Sequence, residues 1–266
     1  MQNIAIIGST GSIGRAFVDY YSKNNEINKI YSFSRSNSLS TDRKIINTKL
    51  DFDNNNDIDH ISSIIETNSL DKVIIATGIL HQGDLQPEKS ISALDVDNFQ
   101  KVFNINTFAP ALLIKAFFPL IKRNTNSLIG ILSARVGSIS DNRIGGWYAY
   151  RASKAALNML IKTAAIELYR KDSSACLVGL HPGTVNTNLS KPFQGSTPKE
   201  KIFTPVQSVD YLTKVIEKIK PEDTGKILDW QGKDVMPCLR KLFIYLKMIY
   251  EYQIIRLFRQ LVKMAM

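Results

Sequence analysis

Short apolar runs rich in Ile and Val alternate along the chain with longer segments of helical periodicity. This alternation is typical of βαβ units, which build a mostly parallel sheet covered by helices on both faces. The apolar runs predict strands near 2–7, 28–34, 45–50, 72–76, 127–132, 175–181 and 226–229. The segments between them predict helices near 12–24, 57–67, 96–122, 147–171 and 205–220. The expected fold class is α/β, a three-layer doubly wound parallel sheet formed by residues 1–237.

Two polar segments, 35–44 and 183–204, are predicted to be loops, and the second is long enough to form a mobile lid over a site. The last segment, 238–266, differs in composition because apolar residues are interspersed with bases. Its longest uncharged run is far shorter than the ~18 residues of a transmembrane helix. We expect a basic amphipathic helical tail that packs on the domain or on another subunit, or lies on an anionic membrane surface, or is poorly ordered.

Charge and composition argue against several functions. Half of the formal net charge of +10 lies from Arg240 onward, and the remainder shows no stripe of Arg and aromatic residues, so no nucleic-acid binding is expected. Two cysteines, Cys176 and Cys238, are too few for a disulfide framework. The three histidines show no ligand spacing, so no metal site is expected. A reducing, cytoplasmic location fits this composition.

A glycine-rich turn joins the first predicted strand to the first predicted helix, which starts near Arg15. Glycines permit a tight turn and close backbone approach, and the helix N-terminus attracts a pyrophosphate. No Gly-Lys-Ser/Thr ends the turn, so no lysine is available for a terminal phosphate. The turn predicts a Rossmann-type dinucleotide site; the alternative is a flexible turn with no ligand. The residues of the predicted site are Gly8, Ser9, Thr10, Gly11, Ser12, Ile13 and Gly14.

The end of the second predicted strand indicates which dinucleotide is bound. An NAD site needs a carboxylate there for the ribose hydroxyls, whereas the 2′-phosphate of NADP needs a cation. The strand ends in hydroxyls followed by Arg35. We therefore favour NADP over NAD, the alternative being a solvated arginine. Asp51, after the third strand, is a candidate acceptor for the adenine amino group, or it opens the next turn.

Tyr150 and Lys154 are four residues apart in a predicted helix, so both lie on one face about one turn from each other. A nearby ammonium stabilises phenolate, and we expect it to lower the tyrosine pKa from ~10 toward neutrality. Such a tyrosine can donate a proton to a carbonyl that is being reduced. An amphipathic helix with no catalytic role can carry the same pair.

Together these features resemble the short-chain dehydrogenase/reductase family over roughly residues 3–232. Further matching segments are Ala76-Thr77-Gly78 after the fourth strand, Asn106 in the central helix, Ser133 after the fifth strand, and His181-Pro182-Gly183-Thr184 followed by Thr187. Two other segments, Gly145–Tyr148 and Gly225–Trp230, are similar to a subgroup of sniffer-like and C-factor-like carbonyl reductases.

The resemblance implies an NADP(H)-dependent oxidoreductase that reduces a carbonyl or oxidises the alcohol, commonly as a homo-oligomer. Tyr150 would be the general acid or base. Lys154 would lower its pKa and bind the nicotinamide ribose, and Asn106 would hold a water in a proton relay. Ser133 is the candidate for polarising the substrate oxygen. The remaining cofactor contacts implied are Ala76, Thr77, Gly78, Pro182, Gly183, Thr184, Val185 and Thr187.

Three departures from the family pattern affect these expectations. Gly11 comes one residue before the usual second glycine, where Ser12 stands, and Thr77 replaces an amide-bearing contact. The family serine is normally the second of two residues that here read Ser133-Ala134. Either Ser133 takes the role through a register shift, or Ser138 turns inward, or the hydroxyl is missing.

A missing hydroxyl would favour the alternative function, an NADP-binding signalling or interaction protein with little or no turnover. If the chain is an enzyme, apolar and aromatic residues near the candidate pocket loops suggest a small apolar carbonyl substrate. These residues are Leu80, His81, Leu85, Phe193 and Phe203.

Overall fold

The computed structural model describes residues 1–36, 40, 42–52, 55–195 and 197–238. Seven parallel strands form its central sheet: β1 (Gln2–Ile7), β2 (Ile27–Ser34), β3 (Ile45–Lys49), β4 (Lys72–Ile75), β5 (Leu128–Leu132), β6 (Cys176–His181) and β9 (Ile227–Asp229). Their order is β3-β2-β1-β4-β5-β6-β9. A separate parallel pair is formed by β7 (Thr184–Val185) and β8 (Ile202–Phe203).

The helices are α1 (Ser12–Ser22), α2 (Asn55–Asp59), α3 (Ile61–Ile64), α4 (Val96–Phe103), α5 (Ala109–Phe117), α6 (Tyr148–Lys171) and α7 (Pro205–Ile216). A π-helical turn, Asn104–Phe108, joins α4 to α5. The 3₁₀ turns are Ile91–Ala93, Arg135–Gly137, Lys191–Phe193, Lys199–Lys201 and Pro221–Asp223. None of the described helices is both long and apolar enough to cross a membrane.

Two apolar layers hold the helices against the sheet, because alternate strand residues point to opposite faces. On one face Ala5, Ile7, Ile129 and Ile131 pack with α5 and α6 through residues such as Phe117 and Leu157. On the other face Ile4, Ile6, Val178 and Leu180 pack with α1 and α7 through residues such as Phe17 and Leu212. The predicted three-layer, doubly wound parallel fold is confirmed.

The strand order reverses between β1 and β4, which leaves a crevice at their carboxyl ends. In open α/β sheets, ligands bind at such a reversal point. The turn that follows β1 and the segment Ala76–Gly78 that follows β4 therefore border the same crevice.

Each predicted strand of the sheet agrees with the structure to within one residue. The helix predicted at 57–67 is instead split into α2 and α3, where the hydroxyls of Ser62 and Ser63 donate to carbonyls three residues earlier and compete with the helical pattern. The segment predicted as a loop at 183–204 contains the two short strands β7 and β8. The predicted tail lies outside the described residues except for Cys238.

The helix predicted at 96–122 is interrupted by the π-helical turn and ends at Phe117. Proline explains both differences. Pro110 has no N–H for an α-helical bond to the carbonyl of Asn106, and Pro119 cannot continue α5.

Candidate active site

The turn after β1 is closed by backbone hydrogen bonds. The amides of Gly8 and Ser9 both donate to the carbonyl of Phe33 in β2, at 2.9 and 3.1 Å, and the amide of Gly11 donates to the carbonyl of Gly8 at 3.0 Å. Gly11 is the N-cap of α1 and carries no side-chain acceptor for the first-turn amides. The first-turn amides therefore have no N-cap side chain as a partner, and such a helix end is suited to an anionic group.

Gly14 is required for this close packing. A Cβ atom on Gly14 would lie 2.1 Å from the carbonyl oxygen of Gly8, far inside van der Waals contact. The hydroxyl of Ser9 donates to the Phe33 carbonyl and accepts from Ser32, so it stabilises the turn instead of facing a ligand. The sequence prediction placed Ser9 among the cofactor contacts, and in this structure both its amide and its hydroxyl donate to the Phe33 carbonyl.

The end of β2 carries the cationic side chain that the sequence predicted there. Arg35 directly follows β2 and its side chain is exposed. Lys49, the last residue of β3, is the register partner of Ser34, so a second cation lies next to the same strand end. The backbone amide of Asp51 donates to the carboxylate of Asp57 at 2.9 Å, which fixes the turn that Asp51 opens.

The segment after β4 has an unpaired hydroxyl in the crevice. Oγ1 of Thr77 is buried and has no hydrogen-bond partner among the described residues. It lies beside the glycine turn, since a Cβ on Gly8 would be 3.2 Å from Cγ2 of Thr77. A buried polar atom without a partner is costly, and a bound polar ligand removes that cost. The residues at this crevice therefore fit a dinucleotide.

Asn106 lies in the π-helical turn, fully buried, and its side-chain amide is occupied. Its Oδ1 accepts from the amide of Ile79 at 2.8 Å, and its Nδ2 donates to the carbonyl of Ile79 at 2.8 Å and to Oγ of Ser153 at 3.2 Å. Because Pro110 has no N–H, the backbone carbonyl of Asn106 lacks the donor that an α-helix would supply.

Lys154 and Asn106 meet at Gly78. A Cβ on Gly78 would lie 3.7 Å from Nζ of Lys154 and 3.5 Å from Oδ1 of Asn106. Lys154 is buried, and its Nζ donates to the carbonyl of Leu132 at the end of β5, at 3.1 Å. Burial lowers the pKa of Lys154 to about 8, so the ammonium is still the major form at neutral pH.

Tyr150 lies in the first turn of α6, one turn before Lys154. Burial raises the pKa of Tyr150 to about 12. This direction is opposite to the one expected from the sequence, because loss of solvation disfavours the phenolate. The phenol therefore keeps its proton at neutral pH.

The two candidate serines have other partners. Oγ of Ser133 donates to Oδ1 of Asn158 at 2.6 Å, and Asn158 lies two helical turns beyond Tyr150. Oγ of Ser138 donates to the carbonyl of Met236 and accepts from the amide of Asp141 at 3.3 Å. Both hydroxyls are therefore engaged within the protein, Ser133 with a side chain of α6 and Ser138 with a backbone carbonyl.

The segment after β6 packs tightly against the second small sheet. Gly183 has φ +78°, and a Cβ there would lie 2.7 Å from the ring of Phe203. The carbonyl of Pro182 accepts from Oγ of Ser208 in α7 at 2.8 Å. Thr184 and Val185 form β7, and the amide of Thr187 is within 3.3 Å of Oγ of Ser190. The segment is fixed at the carboxyl edge of the sheet.

An aromatic wall lies beside Tyr150; the sequence indicated two of its members, His81 and Phe193, but not Trp147. The Trp147 ring lies 6.2 Å from that of Tyr150 and 5.3 Å from that of Phe193, and the Phe193 ring lies 5.4 Å from that of His81. Trp147 lies three residues before the tyrosine, but nothing in its spacing predicts the contact with Phe193.

The other apolar residues proposed for the pocket have different positions. Leu80 and Leu85 are buried core residues, and Phe203 packs against Trp230 with ring centroids 4.7 Å apart. These three residues therefore do not join the aromatic wall.

Comparison with known proteins decides the family. The model for short chain dehydrogenases matches residues 2–197. The chain belongs to the short-chain dehydrogenase family. It is 35% identical over 162 residues to a 1-hydroxy-2-glutathionyl-2-methyl-3-butene dehydrogenase from Rhodococcus sp. (strain AD45), covering 61% of this chain and 69% of that relative. It is 30% identical over 146 residues to the C-signal protein of Myxococcus xanthus, covering 55% and 82%.

Solved structures agree on the fold. The carbonyl reductase from chicken fatty liver, solved with NADPH bound, has a TM-score of 0.74 at 23% identity and covers 89% of this chain and 99% of its own. The Sniffer carbonyl reductase of D. melanogaster gives 0.74 at 22% identity, covering 89% and 99%. The predicted family is confirmed, and the chain is an NAD(P)-dependent oxidoreductase of that family.

Proposed function

We propose that this chain is an NADP(H)-dependent reductase of a small apolar carbonyl compound, able to oxidise the corresponding alcohol, with Tyr150 as the general acid or base. The observation that carries the proposal is the convergence of Lys154 and Asn106 at Gly78, with Tyr150 one helical turn before Lys154. Gly78 follows β4, at the point where the strand order reverses. A dinucleotide held by the glycine turn would extend to this point.

The proposed cofactor contacts follow the crevice. The turn Gly8–Gly14 and the first-turn amides of α1 would hold the pyrophosphate, and Arg35 would pair with the 2′-phosphate that distinguishes NADP from NAD. The unpaired hydroxyl of Thr77 would bond to the dinucleotide. The segment Pro182–Thr187 would border the nicotinamide. When bound, NADPH supplies the hydride, and the protein's own residues handle the proton.

Proton transfer is the task of Tyr150 and Lys154. A phenol with a pKa of about 12 keeps its proton until a carbonyl oxygen beside it gains negative charge. Lys154, still largely an ammonium at neutral pH, would then stabilise the phenolate that remains. The backbone carbonyl of Asn106 would accept from a water that returns a proton toward Lys154.

The substrate class follows from the aromatic wall. Trp147, Phe193 and His81 form edge-to-face contacts in a row that begins at Tyr150. Aromatic faces exclude water and favour an apolar or flat group next to the reacting carbonyl. This arrangement supports an apolar aldehyde, ketone or quinone.

The test is NADPH consumption against a panel of aldehydes, ketones and quinones. We expect turnover by the wild type and a loss of at least about a hundredfold in Tyr150→Phe, which keeps the ring but removes the acidic hydroxyl. The dissociation constant for NADPH should stay unchanged in that variant. Turnover retained by Tyr150→Phe would refute the assigned acid.

A second function is supported by one specific observation. Ala134 offers no hydroxyl where the family has a serine, and the hydroxyls of Ser133 and Ser138 are bonded elsewhere. One missing oxyanion donor costs about 2.7–4 kcal/mol of transition-state stabilisation. An NADP-binding protein with little turnover, acting in signalling or partner recognition, is therefore the alternative. NADPH binding without consumption of any panel substrate would favour it.

A homo-oligomer is proposed from the outer faces of α5 and α6. Met159, Ile166 and Tyr169 are exposed on one side of α6, and Phe108 and Leu112 are exposed at and near the start of α5. Adjacent exposed apolar side chains on two helices are typical of a subunit interface.

A further inference from the structure

We propose that Glu88 is a positioning residue for Tyr150, because its carboxylate caps the helix that carries the tyrosine from a loop distant in sequence. The inference rests on the proposed role of Tyr150 as the proton donor. Glu88 is almost completely buried, at 4% exposure, in the segment between β4 and α4. Buried carboxylates are rare unless they are hydrogen-bonded, so this one requires a structural explanation.

The N-terminus of α6 has no cap of its own. Its N-cap residue, Trp147, makes no side-chain cap hydrogen bond, and the first turn contains no acidic residue. Glu88 supplies what is missing, since its Oε2 accepts from the backbone amide of Ala149 at 3.2 Å. This amide is the one that an Asp or Ser side chain at the N-cap normally satisfies. The carboxylate also lies at the positive end of a 24-residue helix.

The backbone of Glu88 makes a second contact with the same helix end. Its carbonyl accepts from the amide of Trp147 at 2.6 Å. Trp147 has φ +53°, a left-handed conformation that is unfavourable for a bulky residue and persists where the surroundings fix it. Glu88 thereby fixes both the first turn of α6 and the indole that packs against Tyr150.

The consequence for chemistry follows from the place of Tyr150 in the first turn. Helix ends fray unless they are capped. A proton donor displaced by about 1 Å loses up to about a hundredfold in rate. The dinucleotide contacts proposed at the glycine turn lie on other elements, so loss of the cap should lower kcat and leave NADPH binding unchanged.

The experiment compares Glu88→Ala, Glu88→Gln and a matched control, Asp95→Ala. Asp95 is the N-cap of α4, where its Oδ1 accepts from the amide of Asn98 at 2.9 Å, so its loss removes a cap from a helix without Tyr150. We expect Glu88→Ala to lower kcat about tenfold or more. Glu88→Gln keeps an acceptor oxygen and should retain most of kcat. In Glu88→Ala the amides of Tyr148–Tyr150 should exchange hydrogen faster, and in Asp95→Ala they should not.

Wild-type kcat and amide exchange in Glu88→Ala would overturn the inference. So would equal losses of kcat in Glu88→Ala and Asp95→Ala, which would indicate a general loss of stability, or a loss in Glu88→Gln as large as in Glu88→Ala. Failure of the proposed function appears differently, as turnover retained in Tyr150→Phe. The exchange measurement still tests the cap in that case, because it does not depend on catalysis.

Discussion

At the residue scale, the opposite pKa shifts of Tyr150 and Lys154 have one cause. Burial disfavours the charged form of each group, so it raises the pKa of the phenol to about 12 and lowers that of the amine to about 8. Sequence spacing shows that the two groups are neighbours but does not show how dry their surroundings are. For a reductase the result is favourable, because the acid is protonated when substrate arrives.

These pKa values predict how reduction depends on pH. Lys154 carries its charge below its pKa of about 8 and loses it above, while Tyr150 stays protonated throughout. We therefore expect kcat/KM for carbonyl reduction to fall as pH rises through about 8, measured between about pH 6 and 10. In Lys154→Arg the guanidinium stays charged, so any residual activity should lack this decline. A flat wild-type profile would contradict the role of Lys154.

A second prediction concerns the missing oxyanion donor. Ala134→Ser restores a hydroxyl at the family's serine position, and we expect kcat to rise about ten- to hundredfold. The control is Ala152→Ser, the same substitution at an exposed position of α6. An unchanged kcat in Ala134→Ser would mean that another donor already polarises the substrate oxygen.

At the element scale, the π-helical turn determines the position of the Asn106 side chain. Pro110→Ala would supply the amide that an α-helix donates to the Asn106 carbonyl, and we expect α4 and α5 to become continuous. Asn106 would then move away from its two bonds to Ile79. We expect kcat to fall about tenfold.

The matched control for this change is Pro119→Ala. Pro119 lies beyond the end of α5 and is exposed, so its replacement leaves the π-helical turn intact. Equal effects of the two substitutions on kcat would contradict the role assigned to the turn. Circular dichroism would report whether helix content increases in Pro110→Ala.

How far the elements follow from sequence depends on the range of the interactions that form them. Strand limits are local, since they are set by apolar runs between polar residues, and the glycine turn after β1 is recognisable for the same reason. Pro110 was visible in the sequence, but its effect on Asn106 depends on the packing of α4 against α6. The bond from Ser133 to Asn158 and the cap from Glu88 join residues 25 and 61 positions apart, and no periodic pattern reports them.

At the scale of the whole molecule, the two layers of helices bury both faces of the sheet but leave apolar side chains on the outer face of α6. Met159 is 67% exposed and Ile166 is 44% exposed, and they are separated by seven residues, so both lie on the same side of the helix. Lys154 is buried on the side of α6 that faces the sheet. An interface at Met159 and Ile166 would therefore leave the candidate site intact.

This arrangement predicts that the double substitution Met159→Asp with Ile166→Asp lowers the molecular mass in solution to that of a monomer, as measured by light scattering. Two charges in an apolar interface carry a desolvation cost that has no compensating partner. The control is Val206→Asp on α7, which is 64% exposed on the opposite layer. A monomeric wild type would contradict the proposed oligomer. Dissociation by Val206→Asp alone would place the interface on α7, which packs against α1 on the other face of the sheet.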